Sequence, residues 1–414
     1  MAGFEGEERR RGAGERLRAG LRRHGVIPRP TALRKLLRAS DVRFTRGNRV
    51  ELFRDGRSGL DAMLAAIQGA RHRVHFESYI FRADETGQRF LRALTARARA
   101  GVEVRLLFDG VGSLGLPPAA LAELREAGGD AVAFNPLGRI WPRWAPRRRD
   151  HRKILIVDDD LGFTGGLNVG DEYYVGSPAA AGQRIPWRDA HLRIQGPAVA
   201  LLDAVFLESW FRADAPDHPA SMFPAAVPDE PGGEVLGLLP DGPTYHRRRL
   251  RELLIRALER AQTRACFVTP YFVPDTRLRR ALAAAAARGV RVDVLIAGWS
   301  DHPILRWGAL ARLPELLEQG VRFYEFEVAM MHAKLAVFDD RWAVVGTSNL
   351  DRQSLQHSYE VNLLVEGGAL PGELVRLVDE DLAVARPITQ ASLSARRWWT
   401  RLRDRTSALL LGRL

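Results

Sequence analysis

Helical and strand-like hydrophobic patterns follow one another in the same order twice along the chain. In the first half, a helix, a strand, a second helix and a second strand are predicted at about 58–70, 73–81, 86–99 and 102–108. In the second half, the same four elements are predicted at about 245–261, 264–272, 275–287 and 290–296. This alternation predicts a largely parallel or mixed sheet covered by helices, which places the chain in the α/β class.

A short motif is repeated at the same place in both halves. Asp150-His-Arg-Lys-Ile-Leu-Ile-Val-Asp158 aligns with Met331-His-Ala-Lys-Leu-Ala-Val-Phe-Asp339. Each copy leads into a glycine-containing turn and an asparagine, Asn168 or Asn349, that lies 17 residues after the histidine. Equal offsets indicate a duplication. We therefore expect two homologous α/β halves packed against each other as a pseudo-dimer.

The spacing His-x-Lys-x4-Asp predicts an anion site. If each motif is a strand, its period of two puts His151 and Lys153 on one face, and likewise His332 and Lys334. The imidazole could then attack a phosphorus atom while the ammonium holds a phosphate oxygen. Lysine is used sparingly here, since only three of the 62 basic residues are Lys and two of them occupy these positions. A compact ammonium is therefore expected to be required there.

One copy of the motif holds half of an active site, and two copies complete it. One histidine can attack phosphorus while the other protonates the leaving oxygen. Asn168 and Asn349 can add neutral donors to the phosphate oxygens, and Asp158 and Asp339 are expected to brace the two motifs through hydrogen bonds. Because the lysines and amides stabilise the charge, we expect neither a metal ion nor a cofactor.

A nucleophilic histidine also needs a partner for its second ring nitrogen. Two carboxylates lie in apolar, strand-like segments downstream of the motifs: Asp189 in Trp187-Arg-Asp-Ala-His191 and Glu360 in Ser358-Tyr-Glu-Val-Asn362. We expect them to orient the histidines. The alternative, a carboxylate that faces solvent from a strand, stays open for each.

The net charge of +12 belongs to the two ends of the chain. Residues 1–40 carry eleven Lys or Arg against four Glu, and residues 395–414 carry six Arg against one Asp. Basic arms on a neutral body suit an anionic membrane surface, although solvated tails would have the same composition. The single cysteine, the lack of a signal sequence and the lack of a long apolar run favour an intracellular protein that does not span a membrane.

Five segments follow from these patterns: a basic arm (1–40), a first half (41–212), a Pro- and Gly-rich linker (213–233), a second half (234–394) and a basic C-terminal helix (395–414). The helix would carry apolar residues near one face, namely Trp398, Trp399, Leu402, Leu409 and Leu410. It is predicted either to lie at a membrane interface or to dock on the protein's own core. A Trp-containing loop at 139–149 and a small-residue loop at 173–186 are candidates for a membrane contact and a lid.

The two motifs resemble the phospholipase D superfamily and, within it, bacterial cardiolipin synthases of the shorter branch without N-terminal transmembrane helices. The resemblance covers roughly residues 45–385. It also rests on these strings: Phe76-Glu-Ser-Tyr-Ile-Phe81, Phe163-Thr-Gly-Gly-Leu-Asn-Val-Gly-Asp-Glu-Tyr173, Trp187-Arg-Asp-Ala-His191, Gly196-Pro-Ala-Val199, Thr269-Pro-Tyr-Phe272 and Gly346-Thr-Ser-Asn-Leu-Asp351. Leu350-Asp-Arg-Gln-Ser354 departs from the Leu-Asp-x-Arg-Ser that such proteins often carry.

The resemblance implies two α/β sandwiches with the active site between them. It also implies transfer of a phosphatidyl group from phosphatidylglycerol to a second phospholipid, with His151 as nucleophile and His332 as acid. Such a protein would bind the cytoplasmic side of the cell membrane peripherally, and neither a nucleic acid nor a protein partner is predicted. Alternatives are a hydrolytic phospholipase D, a transferase for another alcohol or donor such as phosphatidylethanolamine, a nucleic-acid phosphodiesterase and a non-enzymatic lipid-binding protein.

Overall fold

A single path of paired strands runs through both halves of the protein in a computed structural model. The structure describes residues 26–27, 42–137, 148–178, 184–213, 215–216, 231–243 and 249–413. Four segments lie wholly or largely outside these ranges: most of the basic N-terminal arm, including Lys35, most of the 139–149 loop, the middle of the 173–186 loop and most of the linker.

The first half is a mixed sheet with helices packed on it. Its strands are β1 (Val26–Ile27), β2 (Arg43–Asp55), β3 (Arg73–Ser78), β4 (Glu103–Asp109), β5 (Asp130–Phe134), β6 (Ile154–Val157), β7 (Leu161–Gly165), the short pair β8 (Ser177–Pro178) and β9 (Arg184–Ile185), and β10 (Arg188–Gln195). Its helices are α1 (Gly56–Gly69), α2 (Glu85–Arg99), α3 (Ala122–Glu126), α4 (Asp171–Tyr174) and α5 (Ala198–Arg212). The spatial order is β2-β10-β7-β6-β3-β4-β5, with β3, β4 and β5 parallel.

The second half repeats this order. Its strands are β11 (Glu234–Asp241), β12 (Arg264–Thr269), β13 (Arg291–Ala297), β14 (Arg322–Phe326), β15 (Leu335–Phe338), β16 (Trp342–Gly346), β17 (Glu360–Glu366) and β18 (Arg386–Ile388). Its helices are α6 (Arg249–Arg260), α7 (Thr276–Ala287), α8 (Pro303–Leu310), α9 (Leu313–Glu318), α10 (Arg352–Gln356), α11 (Leu370–Val384), α12 (Gln390–Ser394) and α13 (Trp398–Arg413). The order β11-β17-β16-β15-β12-β13-β14 matches the first half strand for strand, and β18 extends it.

The two sheets are joined along the antiparallel pair β2–β11, which we call the seam. Phe44 on β2 lies opposite Gly237 on β11, and its ring is fully buried. A Cβ atom at Gly237 would lie 2.4 Å from that ring, so only glycine leaves room for the phenylalanine at this point. The seam thereby fixes how the second sheet continues the first.

Equivalent helices in the two halves begin in the same way. Asp84 caps α2 by accepting a hydrogen bond from the N–H of Gly87, and Asp275 caps α7 by accepting one from the N–H of Leu278. Aspartate is among the best residues for this position because its carboxylate satisfies a free N–H group of the first turn. Both helices then turn an apolar face towards the sheet.

The predicted α/β class and the duplicated arrangement are confirmed by this topology. The upstream helices and strands lie where the hydrophobic pattern places them, with ends that differ by at most three residues, except at the start of α6, where the described residues begin at 249. Among the residues that the structure describes, no helix combines the length and the apolarity that crossing a bilayer requires.

Candidate active site

The two His-x-Lys segments lie just before strands β6 and β15, not within them. The prediction that the histidines belong to the strands is wrong, because β6 begins at Ile154, where its pairing with Glu77 of β3 starts. The preceding residues leave the sheet and pair with the other half instead. The N–H of His151 donates to the carbonyl of Tyr359 at 2.9 Å, and the N–H of His332 donates to the carbonyl of Arg188 at 2.7 Å.

This backbone pairing brings each histidine beside a carboxylate from the opposite half. Nδ1 of His151 lies 3.0 Å from Oε2 of Glu360, and Nδ1 of His332 lies 2.7 Å from Oδ2 of Asp189. Both carboxylates are almost fully buried, so the solvent-facing alternative is wrong. Each half therefore supplies one histidine and orients the histidine of its neighbour.

The two lysines are buried beside these histidines. Lys153 donates from Nζ to the carbonyl of His151 at 2.8 Å, and Lys334 makes the equivalent bond to the carbonyl of His332. Burial lowers the pKa of Lys153 to about 7 and that of Lys334 to about 8, and each lysine also lies in the field of positive or negative groups of the other half. Two ammonium groups in one buried site favour an anion between them.

The same surroundings keep both imidazoles neutral. Burial, followed by the charges of Lys153 and Lys334, lowers the pKa of His151 well below its usual value. Burial and Lys334 lower the pKa of His332 to about 4, against the opposing effect of Asp189. A neutral imidazole whose Nδ1–H is held by a carboxylate presents a free Nε2 lone pair, which is the nucleophilic form.

The two orienting carboxylates differ in protonation. Burial raises the pKa of Glu360 to about 8, although Lys153 and the hydroxyl of Thr347 oppose this shift. Burial also opposes ionisation of Asp189, but the charge and hydrogen bond of His332 outweigh it and lower the pKa of Asp189. Thr347 donates from Oγ1 to Glu360 at 2.5 Å, whereas the equivalent turn at Asp189 contains Gly166. A Cβ there would lie 1.9 Å from Oδ1 of Asp189.

Asn168 and Asn349 lie in the turns that follow β7 and β16, and both are buried. Asn168 accepts a hydrogen bond from the N–H of Ile80 and donates from Nδ2 to the hydroxyl of Tyr173 at 2.6 Å. Its second amide hydrogen remains for a ligand. In the turn after Asn349, Asp351 caps α10 through the N–H of Ser354, and Arg352 is exposed.

Asp158 and Asp339 stand apart from the histidines, in the tight turns of the β6–β7 and β15–β16 hairpins. Both have positive φ, as do the residues that follow them, which is the geometry of a type I′ turn that aspartate tolerates. The carboxylate of Asp158 accepts hydrogen bonds from the N–H groups of residues 71–73 at 2.7 to 3.1 Å. That of Asp339 accepts from residues 262–264 at 2.9 to 3.1 Å. They tie each hairpin to the start of β3 or β12.

Aromatic residues that the sequence interpretation left without a role line the site. Tyr79 presents its ring edge-on to His151, with 4.7 Å between ring centres. Tyr173 and Trp187 each lie 5.3 Å from the ring of His332. Their only signal was their position inside the strings that carry the family resemblance, because an aromatic residue in an apolar segment ordinarily indicates core packing.

The buried residues that pack behind the two His-x-Lys segments differ in polarity between the halves. Glu77, Asp150 and Arg152 form a buried ionic cluster under the first segment, where burial and then Asp150 raise the pKa of Glu77. Arg152 also donates to Glu208 and Ser209. The equivalent positions of the second half are apolar, namely Val268, Met331 and Ala333. No cluster of three or more His, Cys, Asp or Glu side chains suited to a metal ion occurs in the described ranges.

A duplicated α/β fold with paired His-x-Lys segments at its centre defines the phospholipase D class, and comparisons with known proteins agree. The family described as cardiolipin synthase, PLD-like domain, matches residues 63–176 and 254–382. The chain is 35% identical to the major cardiolipin synthase ClsA of Bacillus subtilis (strain 168) over 89% of its own length and 76% of that protein. It is 33% identical to the cardiolipin synthase of Staphylococcus aureus (strain Mu50 / ATCC 700699) over 88% and 74%.

The chain therefore belongs to the cardiolipin synthase family of phospholipase D-like proteins. Among solved structures, it is similar to a phosphatidylserine synthase of Haemophilus influenzae Rd KW20, with a TM-score of 0.67 and 14% identity over 97% of this chain and 99% of that one. It is also similar to the polyphosphate kinase of Porphyromonas gingivalis, with a TM-score of 0.56 and 12% identity over 89% and 53%. These two likenesses support the fold alone.

The hairpin aspartates offer a matched test of their bracing contacts. Asp339→Asn removes the charge from an acceptor of several N–H groups, whereas Asp340→Asn makes the same change at the next residue, whose side chain is half exposed. We expect the first substitution to lower the free energy of unfolding by about 1–3 kcal/mol and the second by about 0.5 kcal/mol or less. Urea unfolding near neutral pH measures both, and equal effects would contradict the bracing role.

The pH dependence of this stability has a definite sign. Backbone N–H bonds, working against burial, lower the pKa of Asp339. Its contribution is therefore fully present at neutral pH, declines as the pH falls from about 4, the usual pKa in the unfolded chain, and is lost once the pH has passed below the lowered pKa of the folded state. The difference between the Asp339→Asn variant and the unchanged protein should narrow on acidification.

The buried lysines predict pH-dependent anion binding. Because the lysine pKa values are lowered to about 7 and 8, the charged forms are lost as the pH rises through these values. Inorganic sulfate, which does not titrate near neutrality, should bind about tenfold or more weaker at about pH 9 than at about pH 6, with proton uptake on binding. Titration calorimetry in buffers of different ionisation enthalpy measures both quantities.

A matched variant separates the lysine effect from the histidines. Lys153→Arg keeps a positive charge over the whole range, because the guanidinium does not lose its proton. In this variant, the fall in sulfate affinity around pH 7 should therefore disappear, and the fall around pH 8, which belongs to Lys334, should remain. Sulfate affinity that stays flat across the range in the unchanged protein would contradict the lowered lysine pKa values.

Proposed function

We propose that the chain is a cardiolipin synthase that transfers a phosphatidyl group from phosphatidylglycerol to a second phospholipid through a covalent phosphohistidine. The acceptor that we propose is a second molecule of phosphatidylglycerol, and the product released first is glycerol. The reciprocal pairing of His151 with Glu360 and of His332 with Asp189 carries this proposal. We take these two oriented imidazoles, with the ammonium groups of Lys153 and Lys334, to surround one buried anion site.

In the first step, Nε2 of His151 attacks the phosphorus of phosphatidylglycerol. A P–N bond forms, the bond from phosphorus to the glycerol oxygen breaks, and His332 gives its Nε2 proton to that oxygen. The two lysines and the asparagine amides stabilise the charge on the equatorial oxygens. Binding of the phosphodiester anion offsets the lysine charge that lowers the pKa of His332, so the bound complex favours the protonated acid.

In the second step, the hydroxyl of the acceptor lipid takes the place of glycerol. His332, now neutral, accepts the hydroxyl proton while the oxygen attacks phosphorus and the P–N bond to His151 breaks. Cardiolipin leaves, and His332 is again protonated for the next cycle. Water in place of the lipid hydroxyl would give phosphatidic acid by the same chemistry, so the product identifies which acceptor reaches the site.

The assignment of the two roles follows the difference between the carboxylates. An ionised Asp189 beside His332 stabilises an imidazolium, which suits the acid. Glu360 has its pKa raised to about 8, so it is largely protonated near neutral pH and holds His151 in its neutral form. A general acid needs its proton before the leaving group departs, whereas a nucleophile must be free of it.

The setting that we propose is the cytoplasmic side of the cell membrane, with the enzyme bound peripherally to anionic phospholipid. Both the proposed donor and the proposed acceptor are membrane lipids, so the active site must meet a lipid surface. The excess of Arg in both terminal segments supports this setting, because each basic side chain near an anionic surface contributes about 1 kcal/mol.

The reaction is tested by its products. Purified protein incubated with phosphatidylglycerol vesicles in EDTA should yield cardiolipin and free glycerol, measured by mass spectrometry. His151→Ala and His332→Ala should each lower turnover by about 10⁴-fold or more, because the first removes the nucleophile and the second removes the general acid. Full turnover in either variant would contradict the shared site, and phosphatidic acid without cardiolipin would assign water as the acceptor.

The roles of the two histidines are tested by the leaving group. A p-nitrophenyl phosphodiester needs no acid, since nitrophenolate leaves unaided. We expect His332→Ala and Asp189→Asn to release a burst of nitrophenol from it, while His151→Ala releases none. On phosphatidylglycerol, Asp189→Asn should cost about 10²–10⁴-fold in kcat. Glu360→Gln, which replaces a largely protonated acid by a neutral amide, should cost about tenfold or less. The reverse pattern would exchange the two roles.

A further inference from the structure

Helix α13 at the C-terminus turns several large apolar side chains outward. Its exposed large apolar residues are Trp398, Trp399, Leu402, Leu409 and Leu410, with exposed fractions from 47% to 71%. The described chain exposes ten large apolar side chains to this degree, and half of them lie on this one helix. Residues 398, 402 and 409 fall on one stripe at helical spacing. Burial on the protein's own core is therefore not the role of this face.

The opposite side of α13 is the one that contacts the protein, and it is polar. Asp404 and Ser407 are buried there, and Asp404 accepts hydrogen bonds from Arg396 and Arg403. The guanidinium of Arg403 lies 4.1 Å from the ring centre of Trp307 on α8. The helix is therefore anchored to α8 by polar and cation–π contacts, and its apolar stripe is left for another surface.

The charge on the outer face has one sign. Arg397, Arg401 and Arg405 are exposed among the apolar side chains, while the single acidic residue of the helix, Asp404, is turned inward and paired. Tryptophan, leucine and arginine together on one exposed face are the composition of a helix that lies in the headgroup region of an anionic bilayer.

The position of α13 relates this face to the active site. Helix α8, on which it packs, starts two residues after Asp301. The hydroxyl of Tyr271 donates to Asp301 at 2.5 Å, and the charge of Asp301 helps Lys334 to keep its proton. One short helix thus separates the exposed stripe from the loop at the edge of the lysine pair.

We propose that α13 docks the enzyme on an anionic phospholipid bilayer through Trp398, Leu402, Leu409 and the arginines around them, and that α8 transmits this placement to the edge of the active site. The inference rests on the proposed function for its link to catalysis, but docking itself does not require turnover. A bilayer fits this face better than a second copy of the chain, because two such faces would bring their exposed arginines together.

The test is a vesicle flotation assay with the full chain. Vesicles of phosphatidylcholine with phosphatidic acid supply an anionic surface without the proposed donor, phosphatidylglycerol, so binding is measured apart from the proposed reaction. The variant Trp398→Ser/Leu402→Ser/Leu409→Ser removes the stripe and spares the buried Asp404 side. Val384→Ser is the matched control, because Val384 is an exposed apolar residue on α11 with a similar exposed fraction of 61%.

We expect the triple variant to bind the vesicles at least about tenfold more weakly, because each large apolar side chain that is buried in the bilayer adds to the free energy of binding. The Val384→Ser control should bind like the unchanged protein. Quenching of tryptophan fluorescence by brominated lipid should fall in Trp398→Phe/Trp399→Phe. The ratio of turnover on vesicles to turnover on detergent-dispersed phosphatidylglycerol should also fall in the triple variant. Point substitutions are preferable to deletion of residues 395–414, which would also uncover Trp307.

Three outcomes would overturn the proposal. The first is unchanged vesicle binding in the triple variant, which would assign docking to another part of the chain. The second is a dimer of the unchanged protein that becomes a monomer in the triple variant, which would assign the stripe to a second copy. The third is equal quenching in the tryptophan variant and the unchanged protein. Failure of the proposed reaction would appear separately, as a lack of phosphatidylglycerol turnover in detergent and vesicles alike.

Discussion

The exchange of carboxylates between the two halves is the interaction on which the site depends. Each histidine leaves its own sheet, pairs by its backbone with the first residues of a strand in the opposite half, and meets there the carboxylate that orients its ring. For His151 and for His332, the carboxylate that holds the ring belongs to the other half. The β2–β11 seam must therefore be correct before any catalytic geometry exists, which explains why bulk is excluded at Gly237 opposite Phe44.

Buried positive charge is the second constraint. Two lysines with lowered pKa values and two neutral histidines share a space from which water is largely removed. Two buried ammonium groups repel each other and have lost hydration, so their charged forms are destabilised, and a bound anion between them would offset this cost. In the proposed reaction, binding of the anionic substrate offsets the free energy that burial of the two lysines costs, and the same positive charges stabilise the transition state.

The repeat made most of the fold predictable from sequence, because two copies of the same element order and the same motif offsets reinforce each other. The family and the duplicated α/β class are confirmed. The strand assignment of His151 and Lys153 was wrong, since only tertiary pairing shows that the chain leaves the sheet at Ile154. The crossing of Glu360 to His151 could not be read from order along the chain either, because carboxylates follow both motifs at similar distances.

The departures from symmetry carry the remaining argument. In the proposed two-step transfer, the two histidines have different roles, one as the nucleophile and one as the acid. The layer behind His151 is ionic and contains Glu77, Asp150 and Arg152, whereas the equivalent positions behind His332 are the apolar Val268, Met331 and Ala333. Thr347 lies beside Glu360, and its equivalent beside Asp189 is Gly166. These differences change the charge around each ring while leaving the backbone frame alike. Duplication supplies the geometry of the site, and in the proposed reaction the divergence of the layer behind it distinguishes the nucleophile from the acid.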